Sequence, residues 1–183
     1  MKTWILIATL FVSMSASAKN KWVDERISTA AGILAQIAEG SDEYTLTPNS
    51  DPKKMILELA LKEQMVESEE EFEQNWVGDS GQAWEVDGMY YGVDTLSGAY
   101  DYINNVLTQT LEDGERNDAD KVKFAEATLK LNQAISILRS VKSVKFGVWP
   151  SGAVQCGVSF PSLLILDTEN GKAHQIIMEG SGC

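Results

Sequence analysis

The chain has 183 residues, of which 15 are basic and 27 are acidic, and its formal net charge at pH 7 is −12. Hydrophobic residues make up 44% of the chain, which is enough for a folded core and excludes a disordered protein. Such a negative surface repels nucleic acid and anionic lipid, so we expect neither as a partner. It favours basic proteins or cations, although negative charge also simply keeps a protein in solution.

Residues 1–18 have the three parts of a secretory signal peptide. Lys2 supplies the positive charge, Trp4–Val12 is the apolar segment, and Ala16-Ser17-Ala18 fits the small-residue cleavage site. The apolar segment is shorter than the roughly 20 residues that a bilayer span needs. We therefore predict cleavage after Ala18, a periplasmic or secreted protein, and no membrane insertion after cleavage. The mature chain, 19–183, has the size of a single domain.

Cys156 and Cys183 are the two cysteines of the chain. In an oxidising compartment such a pair predicts one structural disulfide, here between a strand and the chain terminus. Zinc binding is the alternative, but the two cysteines are far apart and His174 is the single histidine. We expect neither a metal nor a cofactor.

The first part of the chain, 19–143, carries the apolar spacing of about four helices. Asp51-Pro52 is a typical helix start, with a capping carboxylate and a proline at the first helical position. The predicted helices cover 22–38, the segment from Asp51 to Val66, 96–111 and 119–142, and Ser41–Asn49 is predicted to be a polar loop.

The last part of the chain, 144–183, predicts a sheet. Leu163–Leu166 is an unbroken apolar run, which is typical of a strand buried on both faces. Asn170-Gly171 predicts a type I′ hairpin turn. The predicted strands are 144–149, 153–160, 163–166 and 173–178. The expected fold is α+β, with about four N-terminal helices on one face of a C-terminal antiparallel β-meander and one disulfide.

Two segments between the helices are candidate contact surfaces. Five glutamates crowd into Glu67–Glu73, which indicates a site for a basic partner or a solvated helix end. The glycine-rich segment Trp76–Asp94 holds three clustered aromatic residues, and aromatic side chains are frequent binding hot spots. Those candidate partner-binding residues are Trp84, Tyr90 and Tyr91. The alternative, which we favour, is a loop attached to the core by its aromatic side chains.

Gly78-Asp79-Ser80-Gly81 resembles the nucleophile motif of trypsin-like peptidases, and its first three residues resemble that of lipase-like hydrolases with a GDSL block. The resemblance implies a serine hydrolase with Ser80 as nucleophile. It covers four residues, and no histidine precedes Ser80 as the peptidase order requires. The lipase-like family has aspartate three residues before its histidine, where this chain has Gly171. A hydrolase of this chain would need Ser80, His174 and Asp167 to meet in space.

These observations favour an exported binding protein without enzymatic activity. One specific form is an inhibitor- or immunity-type protein for a basic extracytoplasmic partner, because opposite charge speeds encounter. Its expected contact surfaces are the aromatic segment Trp84–Tyr91 and the acidic stretch Glu67–Glu73. Two alternatives remain open: a small serine hydrolase that uses Ser80 and His174, and a structural envelope component whose sheet edge pairs with another chain.

Overall fold

The structure is a computed structural model, and it describes residues 2–79, 90–112, 118–155 and 158–178. Within these ranges the chain forms five helices and six strands. The helices are α1 (Lys2–Leu34), α2 (Pro52–Lys62), α3 (Glu69–Gln74), α4 (Leu96–Glu112) and α5 (Asp118–Leu138). The strands are β1 (Gly40–Thr45), β2 (Trp76–Asp79), β3 (Tyr91–Asp94), β4 (Val144–Gln155), β5 (Val158–Asp167) and β6 (Lys172–Ile177).

The strands form one mixed sheet in the order β1-β6-β5-β4-β3-β2. All neighbouring pairs are antiparallel except β2 and β3, which are parallel. The prediction of a purely antiparallel C-terminal meander is therefore wrong, because strands from the first half of the chain extend the sheet at both ends. The predicted break at Pro150 is also wrong: β4 continues through it, with a register irregularity against β5 between Pro150 and Val154.

Helices cover both faces of the sheet, whereas the sequence predicted one covered face. The first core lies between α1, α4 and α5 and one face of the sheet, and the second core lies under α2 and α3 on the other face. Leu163 and Ile165 enter the first core, and Leu164 and Leu166 enter the second. The prediction that this strand is buried on both faces is confirmed, since all four side chains are at most 1% exposed.

Local capping explains where α2 and α3 begin. The Asp51 carboxylate accepts a hydrogen bond from the Lys54 backbone N at 3.0 Å, which confirms the predicted helix start. Ser68 caps α3 in the same way by accepting from the Glu71 backbone N at 3.2 Å. The acidic stretch is therefore the beginning of a separate helix, where negative charge is favourable, and not the end of α2.

The hairpin between β5 and β6 has a different turn from the predicted type I′. Its loop has four residues, Thr168–Gly171, and Gly171 has a φ of +66° while Asn170 has no positive φ. The Asp167 carboxylate accepts from the backbone N of Asn170 at 3.1 Å and from its Nδ2 at 2.7 Å. The Asp167 side chain thus stabilises the loop. The turn uses one residue with a positive φ, Gly171, whereas the predicted type I′ turn would need two.

The predicted disulfide is not found in the part of the chain that the structure describes, and Cys156 and Cys183 lie outside it. Among the described residues, no helix combines the length and the apolar character that a membrane span requires.

Candidate functional site

His174, the predicted catalytic histidine, lies on β6 and is 6% exposed. Its Nδ1 is 3.5 Å from Glu43 Oε2 on β1, and its Nε2 is buried without a hydrogen-bond partner among the described residues. Burial lowers the pKa of His174 from its ordinary 6.5, while the Glu43 carboxylate acts in the opposite direction. The ring is therefore neutral near pH 7. It lines a cleft of about 220 Å³ between α1 and β1.

The described residues show no catalytic contact between His174 and either of the other two members of the predicted triad. Asp167 is fully buried and holds the β5–β6 loop. Ser80 lies outside the described residues, but its neighbour Asp79 ends β2, four strand spacings from β6 in the sheet order. Four spacings correspond to about 19 Å. The fold therefore gives no support to a bond between Ser80 and His174.

The aromatic candidates occupy different environments. Tyr91 is fully buried, with its ring centroid 5.0 Å from Phe72 and 5.4 Å from Trp149. Burial raises the pKa of Tyr91 to about 12, and its hydroxyl has no hydrogen-bond partner among the described residues. Tyr90 is half-buried, and Trp84 lies outside the described residues. Tyr91 thus belongs to the second core and is not part of an exposed binding surface.

Some carboxylates of the acidic stretch Glu67–Glu73 bond to other groups of the fold, and others have no partner in the described ranges. Glu71 Oε2 accepts from the Glu67 backbone N at 2.7 Å, and Glu73 forms an ion pair with Lys53 at 2.7 Å. Glu71 therefore supports the start of α3 in a manner similar to a capping box, but it accepts from the residue before the N-cap Ser68 instead of from Ser68 itself. The exposed carboxylates without a partner in the described ranges are those of Glu67, Glu69 and Glu70.

A second acidic surface, which the sequence did not predict, lies along β1. Among the described strands, β1 is at the edge of the sheet and pairs only with β6. The Leu46 backbone N donates to Gly171 O at 2.7 Å, so the backbone groups of Leu46 face the β5–β6 hairpin. In an antiparallel strand the backbone N–H and C=O groups of every second residue face the same neighbouring strand.

The register from Gly40–Ile177 to Thr45–Lys172 continues to Leu46–Gly171, so the backbone groups of Ser41, Glu43 and Thr45 point away from β6. The bond from Glu39 N to Ile177 O at 3.0 Å lies one residue out of this register, as at a β-bulge before the strand. Thr45 O accepts from Lys62 Nζ at 3.4 Å, and the backbone groups of Ser41 and Glu43 have no partner among the described residues.

Asp42 and Glu43 lie on this edge strand, and Glu63, the C-cap of α2, acts on its residue Tyr44. Burial raises the pKa of Tyr44, and the carboxylates of Asp42 and Glu63 raise it further, which places both within electrostatic reach of its ring. The Tyr44 hydroxyl donates to Gln175 Oε1 at 3.0 Å, so the ring is held in position. Asp42, Glu43 and Glu63 are exposed. We call Asp42, Glu43, Glu63 and Tyr44 the acidic edge.

Comparison with known proteins gives no relative: no family model, no curated protein and no solved structure matches the chain. Within the described ranges, no three His, Cys, Asp or Glu side chains are grouped closely enough to hold a metal ion.

Proposed function

We propose that the protein is an exported binding protein without enzymatic activity, and that it binds a basic protein through the acidic edge. The observation that supports the proposal is the edge strand β1, where the backbone groups of Ser41 and Glu43 have no partner in the described ranges and lie beside three exposed carboxylates. An extended segment of a partner adds to such an edge through backbone hydrogen bonds. Lysine and arginine side chains on that segment would pair with Asp42 and Glu63, and with Glu43, which also lies 3.7 Å from Lys172 Nζ. An inhibitor- or immunity-type protein is the specific form that we favour.

The same carboxylates argue against pairing between two copies of the chain. If two β1 edges paired, Asp42 and Glu43 of each copy would lie close to those of the other. Like charges across a strand pair are destabilising, and charged edge residues are a common way to prevent self-association. The uncovered edge also suits a structural envelope component, but the charge of this edge favours a different, basic chain as the partner. Gel filtration of the purified protein distinguishes self-association, which gives a dimer or a larger assembly, from a monomer that needs a different, basic chain as its partner.

Export rests on the pattern of residues 1–18, and the position of α1 is compatible with it. Among the side chains that the structure describes, Ala18 and Lys19 are exposed and the first buried one is Val23. Cleavage after Ala18 therefore leaves the segment of α1 that contacts the sheet. N-terminal sequencing of the protein from the cell envelope or the medium should begin at Lys19.

The experiment for the partner is a pull-down with the mature chain from envelope and medium extracts at low and high salt. We expect a basic protein that is retained at low salt and released at high salt, because salt screens exposed charges. The variant D42N/E43Q/E63Q should lose this protein. The matched control E67Q/E69Q/E70Q removes the same charge from the start of α3 and should retain it.

The opposite result for the two variants would move the binding site to the acidic stretch Glu67–Glu73. Equal loss in both would show a response to net charge without a defined surface, and it would contradict the proposed role of the acidic edge. Loss of binding in neither variant would contradict the electrostatic mechanism as a whole.

A further inference from the structure

A second cleft, of about 440 Å³, lies between the end of β3, the start of α4 and the end of α5. This volume is within the range of roughly 300–1,000 Å³ that is usual for small-molecule sites. The cleft is distant from the acidic edge, because β3 and β1 are on different halves of the sheet. Its apolar wall is formed by Val93, Leu96, Leu138, Val141, Val144 and Phe146.

Asp94 lines this cleft and is 7% exposed. It is the last residue of β3, and it pairs with Phe146 of β4, whose side chain enters the first core. The Asp94 side chain is therefore on the same face of the sheet as α4 and α5. Its Oδ1 accepts from the Thr95 backbone N at 2.6 Å. Its Oδ2 is buried and has no hydrogen-bond partner among the described residues.

Asp94 Oδ2 is not required to cap the first turn of α4. Thr95 Oγ1 accepts from the Gly98 backbone N at 3.1 Å and so caps the helix. The carboxylate lies directly against Gly98: a Cβ at that position would be 2.6 Å from Oδ2 and even closer to Oδ1. A glycine thus makes room for a buried carboxylate whose Oδ2 remains unpaired. Buried polar atoms are normally paired, so the unpaired Oδ2 needs an explanation, and a donor supplied by a bound ligand is one.

Two cationic residues also line the cleft: Arg139, at the end of α5, and Lys145 on β4. The guanidinium of Arg139 is the better match for a carboxylate. Arg139 is exposed, and it forms no ion pair with the residues that the structure describes. A guanidinium binds a carboxylate through two parallel hydrogen bonds. The cleft therefore combines an acceptor for an ammonium group, an apolar wall and a donor for a carboxylate.

We propose that this cleft binds a small α-amino acid with an apolar side chain. Its ammonium group donates to Asp94 Oδ2, its side chain contacts the apolar wall, and its carboxylate binds Arg139. A buried carboxylate discriminates strongly against ligands without a matching donor, because such a ligand leaves Oδ2 unpaired. The proposal is independent of the acidic edge and of any protein partner.

The test is isothermal titration calorimetry with L-leucine as the probe. It uses the purified protein in the form that is recovered from the expressing cells. We expect one saturable site. Two analogues lack the ammonium group, 4-methylpentanoate and N-acetyl-L-leucine, and they should bind at least about tenfold more weakly. The amine 3-methylbutylamine lacks the carboxylate and should bind, but more weakly than leucine.

Two variants assign the contacts to residues. Asp94→Asn should weaken leucine binding about tenfold or more, with circular dichroism as the check on folding. Arg139→Gln, an exposed position, should weaken the binding of leucine and leave that of 3-methylbutylamine unchanged. The control Lys123→Gln, which removes one exposed positive charge elsewhere on α5, should change neither.

Three results would overturn the proposal: no saturable binding of leucine, equal affinity for N-acetyl-L-leucine, or unchanged affinity in a folded Asp94→Asn variant. Tighter binding of L-leucinamide than of leucine would assign the cleft to the amino terminus of a peptide. It would overturn the role given to Arg139.

Discussion

His174 of β6 and Glu43 of β1 are direct cross-strand neighbours, and His174 Nδ1 lies 3.5 Å from Glu43 Oε2. The histidine is buried, while the side chain of Glu43 is 51% exposed. The carboxylate remains hydrated and therefore compensates only in part for the burial of the ring. The net result is a lowered pKa for His174.

This relationship predicts a loss of stability in mildly acidic solution. Because the pKa of His174 is lowered in the fold, its stabilising contribution is complete above the unfolded value of about 6.5 and is lost as the pH falls below it. Urea unfolding should show a falling free energy of unfolding from about pH 7 to about pH 5, with a smaller fall in His174→Gln. Nuclear magnetic resonance titration of the single histidine gives its pKa directly, and a value above 6.5 would contradict the prediction.

The buried hydroxyl of Tyr91 predicts a stabilising substitution. It has no hydrogen-bond partner among the described residues, so Tyr91→Phe removes an unsatisfied polar group and keeps the ring contacts with Phe72 and Trp149. We expect the free energy of unfolding to rise by about 1 kcal/mol. A clear loss of stability would show that the hydroxyl is bound in solution.

Tyr91 also predicts a response to base. Its pKa is raised to about 12, so its contribution to stability is complete below pH 10 and is lost as the pH rises through about 12. The base-induced loss of stability should be smaller in Tyr91→Phe than in the wild type. Absorbance titration of the phenolate at high pH measures the pKa shift, and a Tyr91 that titrates near 10 would contradict it.

Gly171 predicts a strongly destabilising substitution. An added Cβ would lie 2.6 Å from Pro48 N and even closer to Leu46 O, and the φ of +66° is unfavourable for alanine. We expect Gly171→Ala to lower the free energy of unfolding by about 2 kcal/mol or more. Gly78→Ala, with a φ of +89° and open space around it, isolates the backbone term and should cost about 1 kcal/mol. Equal losses in the two variants would contradict the steric argument.

Segments with strong apolar patterns could be predicted from the sequence. Leu163–Leu166 and the start of α2 at Asp51 lie where the patterns placed them, because burial and capping leave a local signal. Whether helices cover one face of the sheet or both faces could not be predicted. Apolar spacing shows that a helix has a buried side, but it does not show which face of the sheet that side contacts.

The candidate sites left almost no local signal. β1 is an exposed edge strand with Ser41, Asp42 and Glu43 in sequence, and this composition is that of a polar loop. Asp94 precedes the capping residue Thr95, so the sequence alone is explained by a helix start. The unpaired Oδ2 of Asp94 is visible only when its neighbours in space are known.

The acidic edge predicts a substitution that separates partner binding from stability. The backbone N–H of Ser41 points away from β6, so Ser41→Pro removes a donor that the fold does not use. Proline is tolerated at this position of an edge strand, and the free energy of unfolding should change by less than about 1 kcal/mol. If the partner adds a strand to β1, the substitution blocks one backbone hydrogen bond and should weaken binding by about tenfold. Asp42→Pro is the control for orientation, because its N–H faces β6 and its loss should destabilise the fold itself. Unchanged partner affinity in a stable Ser41→Pro variant would show that the partner contacts the carboxylates without extending the sheet.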